Sequence, residues 1–412
     1  MRLTAHPSGR VRLALSALLV LATAVATAAG ATAAASAAIG RSQQGFGAAI
    51  RTITTAAAAN LTMLPAGRTG SRSQIPWRIV GQGWALAEFT TGSPRTARPV
   101  ELYLVDPAGG RYLAYRWPAT RSPWQLIDWS GDKARALFEK QGGSRPALHQ
   151  LVLATGKVTT FRLPSASDFL LGYTRPHGAS LLISGGGISR VSLTGAPQKR
   201  LITGAGFAAA LSAANGATEV VNGPAGVDLV SNAGGIVRRL PVPGASPKLG
   251  GCTPVRWWTA TTALVSCIAN TQIASPRLWL VPVSGAAPRA LTPVRNGRDG
   301  DYGDTDAWRF GPVTYVQALG ACGVRYISRE SAGRKVTPVS VPGGTGNNAV
   351  VAVSGHRMLV QEYSECASSS SVAWFSPATG AATAVLRAPE GSAGVLSVVA
   401  FNATGQQPGG LP

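Results

Sequence analysis

Residues 124–138 read WQLIDWSGDKARALF, and residues 148–163 read LHQLVLATGKVTTFRL. Each stretch places β-branched, aromatic and aliphatic residues on both sides of a short turn that contains Gly. The turns are Ser-Gly-Asp-Lys at 130–133 and Thr-Gly-Lys at 155–157, and both are typical of β-hairpins. Two consecutive hairpins predict one four-stranded antiparallel unit.

The same hairpin pattern recurs along the chain. Further hairpins with Gly at or near the turn span Leu102–Trp117, Ile188–Ile202, Val227–Leu240, Leu278–Leu291, Val324–Val341 and Val372–Leu386. Seven units between Ile75 and Gly391 are about 45 residues long on average, the period typical of propeller blades. We therefore predict an all-β fold, a β-propeller of four-stranded blades over residues 75–402.

One blade carries a recognisable motif. Its inner turn reads Ile127-Asp-Trp-Ser-Gly-Asp-Lys133, and its outer turn reads Leu151-Val-Leu-Ala-Thr-Gly-Lys-Val158. This pair resembles the WD-like repeats of TolB-type β-propellers, in which a Trp-Ser-Pro-Asp-Gly-Lys turn joins the inner strands and a Thr-Gly-Lys-like turn joins the outer ones. The resemblance implies the fold and leaves the activity open, because propellers serve both as binding proteins and as enzymes.

The run Val395–Phe401 is left over after seven units. It reads like an inner strand, so it either closes the ring by joining the first blade or pairs with residues 48–64 in a partial eighth blade. We favour seven blades, because closing the ring buries both apolar faces of every blade. Residues 403–412 are predicted to be a flexible tail.

The N-terminus has the pattern of a secretory signal peptide over residues 1–37. Arg2, Arg10 and Arg12 precede an apolar stretch at 13–25, and Ala-Ser-Ala at 35–37 provides a cleavage site. That stretch is shorter than the roughly 20 residues that span a bilayer, so we expect export and no membrane span. Residues 38–74, rich in Ala, Thr, Gly and Ser, are predicted to be a low-complexity linker.

The chain has 38 Lys and Arg against 17 Asp and Glu, a net charge of +21. The densest basic pairs, Lys199-Arg200 and Arg238-Arg239, lie far apart in the sequence. Nucleic-acid binders usually gather such charge on one stripe, so we interpret these residues as solvated surface and expect no specific nucleic-acid partner. Adhesion to acidic envelope polymers through net charge is the alternative.

Four cysteines in an exported chain favour disulfides. Cys252 and Cys267 lie almost symmetrically about a predicted hairpin turn and should face each other across adjacent strands. Cys322 and Cys366 end equivalent strands of consecutive blades and are predicted to pair. A link from Cys267 to Cys322 is the alternative.

An acidic loop contains Asp299, Asp301, Asp304 and Asp306 in the sequence RDGDYGDTDAW. Alternating Asp and Gly resembles an oxygen-rich Ca²⁺ loop, because a hard cation takes several carboxylates and glycines let the backbone fold around it. The interpretation that we favour is a solvated acidic loop of turn-forming residues, and a Ca²⁺ site is the alternative. We expect no other cofactor.

Catalytic motifs are missing from the sequence. It contains neither a Gly-x-Ser-x-Gly nucleophile elbow nor a phosphate-binding loop. We interpret His177 and His356 as exposed turn residues and His149 as a strand residue without a catalytic role. The function predicted is an exported, non-enzymatic propeller that binds a protein or cell-envelope polymer through one face of the ring. A propeller enzyme acting on carbohydrate or lactone and a purely structural envelope protein are the alternatives, and nothing in the sequence indicates the oligomeric state.

Overall fold

The computed structural model describes residues 63–401. Short gaps within this range fall at 94–95, 97, 121–123, 141–146, 205–208, 246–250, 271–274, 298–299, 331–335, 345, 365–367, 388–391 and 393. The predicted signal peptide, the predicted tail and residues 38–62 of the predicted linker lie outside the described residues. No helix in the described ranges is long and apolar enough to cross a membrane.

The described chain forms seven antiparallel blades, which confirms the predicted all-β propeller. Each blade is numbered in chain order, and its strands are counted from the centre of the ring outwards. Blade 1 contains β1 (Thr69–Ser71), β2 (Ala85–Thr90), β3 (Arg98–Val105) and β4 (Arg111–Thr120). Blade 2 contains β5 (Trp124–Trp129), β6 (Arg135–Lys140), β7 (Ala147–Val152) and β8 (Val158–Arg162). Blade 3 contains β9 (Phe169–Tyr173), β10 (Leu181–Ser184), β11 (Gly187–Val191) and β12 (Pro197–Thr203).

Blades 4 to 7 follow the same plan. Blade 4 contains β13 (Ala210–Ser212), β14 (Thr218–Gly223), β15 (Gly226–Ser231) and β16 (Ile236–Pro241), and blade 5 contains β17 (Cys252–Thr259), β18 (Thr262–Asn270), β19 (Ser275–Pro282) and β20 (Arg289–Ala290). Blade 6 contains β21 (Asp304–Phe310), β22 (Val313–Leu319), β23 (Arg325–Glu330) and β24 (Val336–Val339). Blade 7 contains β25 (Asn347–Ser354), β26 (Arg357–Ser364), β27 (Ser368–Ser376) and β28 (Ala381–Arg387).

The last strand, β29 (Gly394–Ala400), closes the ring. It pairs antiparallel with β2, from Ala85 opposite Ala400 to Thr90 opposite Gly394, and so becomes the innermost strand of blade 1. This confirms the seven-bladed prediction in which the leftover run joins the first blade. At the outer edge of the same blade, β1 pairs parallel with β4. Since β1 lies within the predicted linker, the sheet starts before the predicted boundary at residue 75.

Large aromatic side chains fill the space between blades. Trp84, Trp129, Trp308 and Trp374 are fully buried. The Trp374 indole donates a hydrogen bond of 2.9 Å to the carbonyl of Asp106, which links blade 7 to blade 1. Burying such rings on both sides of each sheet is a large apolar contribution to stability, and in Trp374 the indole N–H also has a backbone partner. The ring is held together by contacts of this kind.

The two faces of the ring differ in their loops. The connections from one blade to the next and the loops between second and third strands lie on one side, here called the connection face. The turns between first and second strands and between third and fourth strands lie on the other side, the turn face. The acidic loop precedes β21 and therefore belongs to the connection face.

Candidate functional site: the central channel

Six of the seven innermost strands contain a β-bulge at the same level of the channel. The pairing with the second strand skips one residue in each case: Ile127, Leu171, Val255, Thr305, Val351 and Leu396. A bulge disrupts the ladder locally and turns an extra residue away from its partner strand. Five of these six residues line a cavity in the channel.

In two blades, the backbone beside the bulge is capped by a side chain from the preceding blade. Glu88 of β2 accepts a hydrogen bond of 2.6 Å from the Leu126 N–H. Gln317 of β22 accepts one of 2.8 Å from the Val350 N–H through Oε1. Leu126 and Val350 each stand directly before a bulged residue. Glu88 and Gln317 therefore do the same work at two different blade junctions.

The cavity has a volume of about 250 Å³ and occupies the connection-face half of the channel. Its lining comes from the innermost strands β5, β17, β21, β25 and β29, with Gln317, Arg325, Gln361 and Tyr363 from strands further out. At about 30 Å³ per water molecule, this is room for about eight waters. The cavity can therefore hold one side chain or one sugar-sized group.

The charged groups of the lining are two arginines and one carboxylate. Arg256 holds Asp306 in a two-pronged contact, with Nε at 2.6 Å from Oδ1 and a second contact to Oδ2. None of the described residues forms an ion pair with Arg325. Burial raises the pKa of Asp306, and the charges of Arg256 and Arg325 oppose that rise. Burial also raises the pKa of Tyr363, again opposed by Arg325. The lining therefore carries one excess positive charge.

The structure places arginine beside the acidic loop. The Nε of Arg295 lies 3.1 Å from Asp301 Oδ2 and 3.2 Å from Asp304 Oδ2. Burial raises the pKa of Asp304 to about 6, although the Arg295 charge opposes this. Asp306 faces Arg256 instead, so the three described aspartates do not converge as one ligand set, and Asp299 lies outside the described residues. In the described ranges, no group of three or more His, Cys, Asp or Glu side chains could hold a metal. The Ca²⁺ site stays a prediction.

The cysteines are placed as follows. Cys252 and Cys267 are opposite each other in the register of β17 and β18 and form a disulfide. Because Cys267 is already bonded, the alternative link to Cys322 is wrong. The Cys322 backbone forms a short 3-10 turn between β22 and β23. Cys366 lies outside the described residues, so the pairing of Cys322 with Cys366 stays a prediction.

The histidines lie outside the channel lining. His177 and His356 are exposed in turns between first and second strands, as the sequence indicates. His149 stacks between two indoles, with ring centroids 3.2 Å from Trp124 and 5.5 Å from Trp117. Burial, with a smaller effect of the Lys140 charge, lowers its pKa to about 4. His149 is therefore a neutral packing residue at neutral pH.

Four residues that define this site are not among those that the sequence singles out: Glu88, Gln317, Arg256 and Arg325. A signal existed for Glu88, because it is an acidic residue inside the apolar run ALAEFT at 85–90. All six residues of that strand are buried. An acid in a fully buried strand requires hydrogen-bond partners and therefore marks a special position.

Fold and channel define a seven-bladed β-propeller. Several solved structures are similar to the chain at low sequence identity. TolB from Acinetobacter baumannii aligns with 13% identity and a TM-score of 0.40 over 77% of this chain and 66% of its own. A Mycobacterium tuberculosis puromycin-hydrolyzing peptidase aligns with 15% identity and a TM-score of 0.46 over 79% and 56%. Virginiamycin B lyase from Staphylococcus aureus aligns with 12% identity and a TM-score of 0.45 over 68% and 96%.

This chain thus spans less than two thirds of the length of the first two of these proteins. A propeller fold does not by itself determine an activity. No protein-family model and no curated protein matches the chain.

Proposed function

We propose that this protein is an exported, non-enzymatic β-propeller that binds a partner protein or a cell-envelope polymer through its connection face. The observation that carries the proposal is the cavity in the connection-face half of the channel, with its excess positive charge. A cavity of this size receives one protruding acidic group, while the surrounding loops contact the rest of the partner. Concave sites with a few convergent polar groups are the usual binding sites of proteins.

Two features support export. The N-terminus has the signal-peptide pattern, and the disulfide between Cys252 and Cys267 is of the kind that persists in oxidising compartments. Neither feature depends on the identity of the partner.

The non-enzymatic assignment rests on the chemistry of the lining. Its one carboxylate, Asp306, is held by the Arg256 fork. Glycoside hydrolysis normally needs two carboxylates, one as acid and one as base or nucleophile. A single carboxylate that is held by a buried arginine does not supply both of these roles. The lining is therefore better suited to recognition than to proton transfer.

The test uses two arginines of the same strand. Arg325 lines the cavity at the beginning of β23, and Arg329 is exposed near the other end of that strand. The mature protein is used to capture partners from the envelope fraction of the native culture, and each captured partner is purified and titrated by calorimetry. We expect Arg325→Glu to weaken binding at least tenfold and Arg329→Glu to change it less than threefold.

Equal losses in the two variants would place the partner elsewhere and overturn the connection-face assignment. Turnover of an acidic oligosaccharide or a lactone by the wild-type protein, abolished by Arg256→Gln, would replace the binding proposal with the enzymatic alternative. A partner bound equally by wild type and both variants would also contradict the proposal.

A further inference from the structure

The outer edges of blades 3 and 4 bring together two basic pairs that are distant in the sequence. Lys199 and Arg200 lie on β12, the outermost strand of blade 3, and Arg238 and Arg239 lie on β16, the outermost strand of blade 4. All four side chains are exposed. These four residues are here called the rim stripe.

The contacts between blades make the rim stripe continuous. A side chain at Gly234, in the turn before β16, would come within 3.2 Å of Lys199 Cε, so Lys199 lies against blade 4. The Arg238 guanidinium in turn donates to the carbonyls of Val283, at 3.2 Å, and Ser284 in the β19–β20 turn of blade 5. One basic side chain of each pair, Lys199 and Arg238, thus reaches the next blade around the ring, whereas Arg200 donates to the Gly186 carbonyl of its own blade at 3.2 Å.

Acidic side chains are scarce in this part of the ring. From Phe169 to Ala290, blades 3 to 5 contain ten Lys and Arg but only two acidic residues, Glu219 and Asp228. Both are buried, at 0% and 4% exposure. Asp228 lies opposite Arg239 in the register. Among the described residues, no carboxylate forms an ion pair with any residue of the rim stripe. The positive charge is therefore directed to solvent with little local compensation.

The strand register also places like charges opposite each other. Arg190 lies directly opposite Lys199 on the adjacent strand β11. Like charges at opposed positions of antiparallel strands destabilise the sheet. Beside the rim stripe, Ile236 and Val237 are 41% and 57% exposed. Such aliphatic side chains next to guanidinium groups can pack on the apolar faces of sugar rings while the arginines bind the acidic groups.

We propose that the rim stripe binds a linear anionic polysaccharide of the cell envelope, with its acidic groups paired to successive basic residues of neighbouring blades. The rim stripe lies on the outside of the ring, away from the channel cavity. The proposal for the rim stripe therefore does not rest on the function proposed for the connection face. The repeat of acidic groups along such a polymer matches a row of positive charges. The predicted export favours an envelope polymer over nucleic acid.

The probe is alginate, a linear polyuronate, titrated into the full mature protein at 50 to 200 mM salt. The test variant replaces Lys199, Arg200, Arg238 and Arg239 by Gln. The matched control replaces four other exposed arginines by Gln: Arg162, Arg309, Arg329 and Arg387. Arg162 and Arg387 also lie on outermost strands, β8 and β28, so the control shares any role of basic residues in protecting sheet edges.

We expect the rim variant to lose about tenfold or more in affinity at 50 mM salt and to show a shallower salt dependence, because each lost contact releases fewer counterions. The control should lose less than threefold. Circular dichroism and thermal unfolding verify that both variants are folded.

Three results would overturn the proposal. The first is no binding of alginate by the wild type at 50 mM salt, and the second is an equal loss in the control, which would mean that net charge alone is responsible. The third is tighter binding of a single-stranded oligonucleotide with the same dependence on the rim variant, which would assign the surface to nucleic acid.

Discussion

Glu88 and Gln317 occupy the same position in two blades but differ in charge. Each lies on a second strand, where the first strand of its own blade has its bulge: Glu88 is opposite Ser397, and Gln317 is opposite Asp306. Each caps the backbone N–H directly before the bulge of the next blade. The capping geometry is thus equivalent, and the difference is one ionisable proton.

In four other blades the same position is Leu. Leu137, Leu182, Leu264 and Leu359 stand at the corresponding place in their register and are buried, as Glu88 and Gln317 are. The apolar residue is therefore the common solution, and the polar cap is a local addition at the junctions of blades 1–2 and 6–7. Both junctions border the channel cavity, since Leu126 and Val350 line it.

Burying the amide of Gln317 and burying the acid of Glu88 cost different amounts of free energy. Gln317 satisfies both its groups: Oε1 accepts from Val350, and Nε2 donates to the carbonyls of Tyr326 at 3.0 Å and Asn348 at 2.8 Å. Glu88 is fully buried, and burial raises its pKa to about 7 despite hydrogen bonds from Ser397 and Leu126. The comparison shows that a neutral amide suits the Gln317 site, which offers both a donor and acceptors. At the buried Glu88 site, ionising the acid costs free energy because the charge is desolvated.

The largest effect is expected from Gln317→Glu. A carboxylate at this position would face the carbonyls of Tyr326 and Asn348, which need a donor. We expect a loss of about 3 kcal/mol or more in the free energy of unfolding at pH 8 and a smaller loss at pH 5, where the acid can be protonated. Urea unfolding at the two pH values measures both. A loss that is equal at pH 5 and pH 8 would show that charge is not the cause.

The second prediction replaces both caps with the residue that the other blades use. Gln317→Leu leaves one N–H and two carbonyls without their partner, and we expect it to cost about 2 kcal/mol at any pH between 5 and 8. Glu88→Leu also leaves an N–H without its acceptor, but at pH 8 the substitution removes a buried charge. We therefore expect Glu88→Leu to lower the free energy of unfolding by no more than about 1 kcal/mol at pH 8. Urea unfolding of both variants at pH 8 is the measurement. Equal costs would contradict the difference inferred between the acid and the amide.

The fold could be predicted from sequence because each blade repeats the same local pattern. Hairpins with Gly turns, such as 148–163, recur at a regular spacing, and the run at 395–401 is one strand too many unless it closes the ring. The bulges could not be predicted. A bulge depends on the pairing of two strands, and a residue such as Ile127 looks like any other strand residue in the sequence.

The charged sites were partly predictable. The acidic loop is recognisable in the sequence, but its arginine partners are not, since they lie at separate positions in the chain, Arg295 before β21 and Arg256 on β17. The rim stripe was missed for a similar reason. The pairs at 199–200 and 238–239 come near each other because β12 contacts the turn that precedes β16, where the Gly235 N–H donates to the Leu201 carbonyl at 2.8 Å. Contacts across the ring are set by tertiary structure and leave no local signal.

The third prediction concerns pH. An acid with a raised pKa in the folded state, such as Glu88, binds a proton more tightly when folded than unfolded. Its stabilising contribution is therefore fully present below the unfolded pKa of 4.5 and is lost as pH rises towards the folded value of about 7. We expect the wild-type free energy of unfolding to fall with pH between 5 and 7 more steeply than that of Glu88→Gln, by about 1.4 kcal/mol per pH unit.

The difference between the two proteins isolates Glu88, because the other shifted groups are present in both. Glu219, whose pKa burial also raises to about 7, contributes in the same direction, and His149, with a pKa of about 4, contributes in the opposite one. Chemical unfolding at several pH values gives the two slopes. Parallel curves for wild type and Glu88→Gln would mean that Glu88 does not titrate differently in the folded protein.

The last prediction concerns Ser397→Ala. The Ser397 hydroxyl donates to the Glu88 carboxylate, and this bond holds the pKa of Glu88 below the value that burial alone would set. A hydrogen bond to a charged acceptor is stronger than one to a neutral acceptor, so its loss should cost about 1.5 kcal/mol at pH 8 and about 0.5 kcal/mol at pH 5. In the Glu88→Gln background the acceptor is neutral at both pH values. In that background, Ser397→Ala should cost about 0.5 kcal/mol at both pH values. A cost that remains pH-dependent in that background would assign the titration to another group, and charge would then no longer distinguish Glu88 from Gln317.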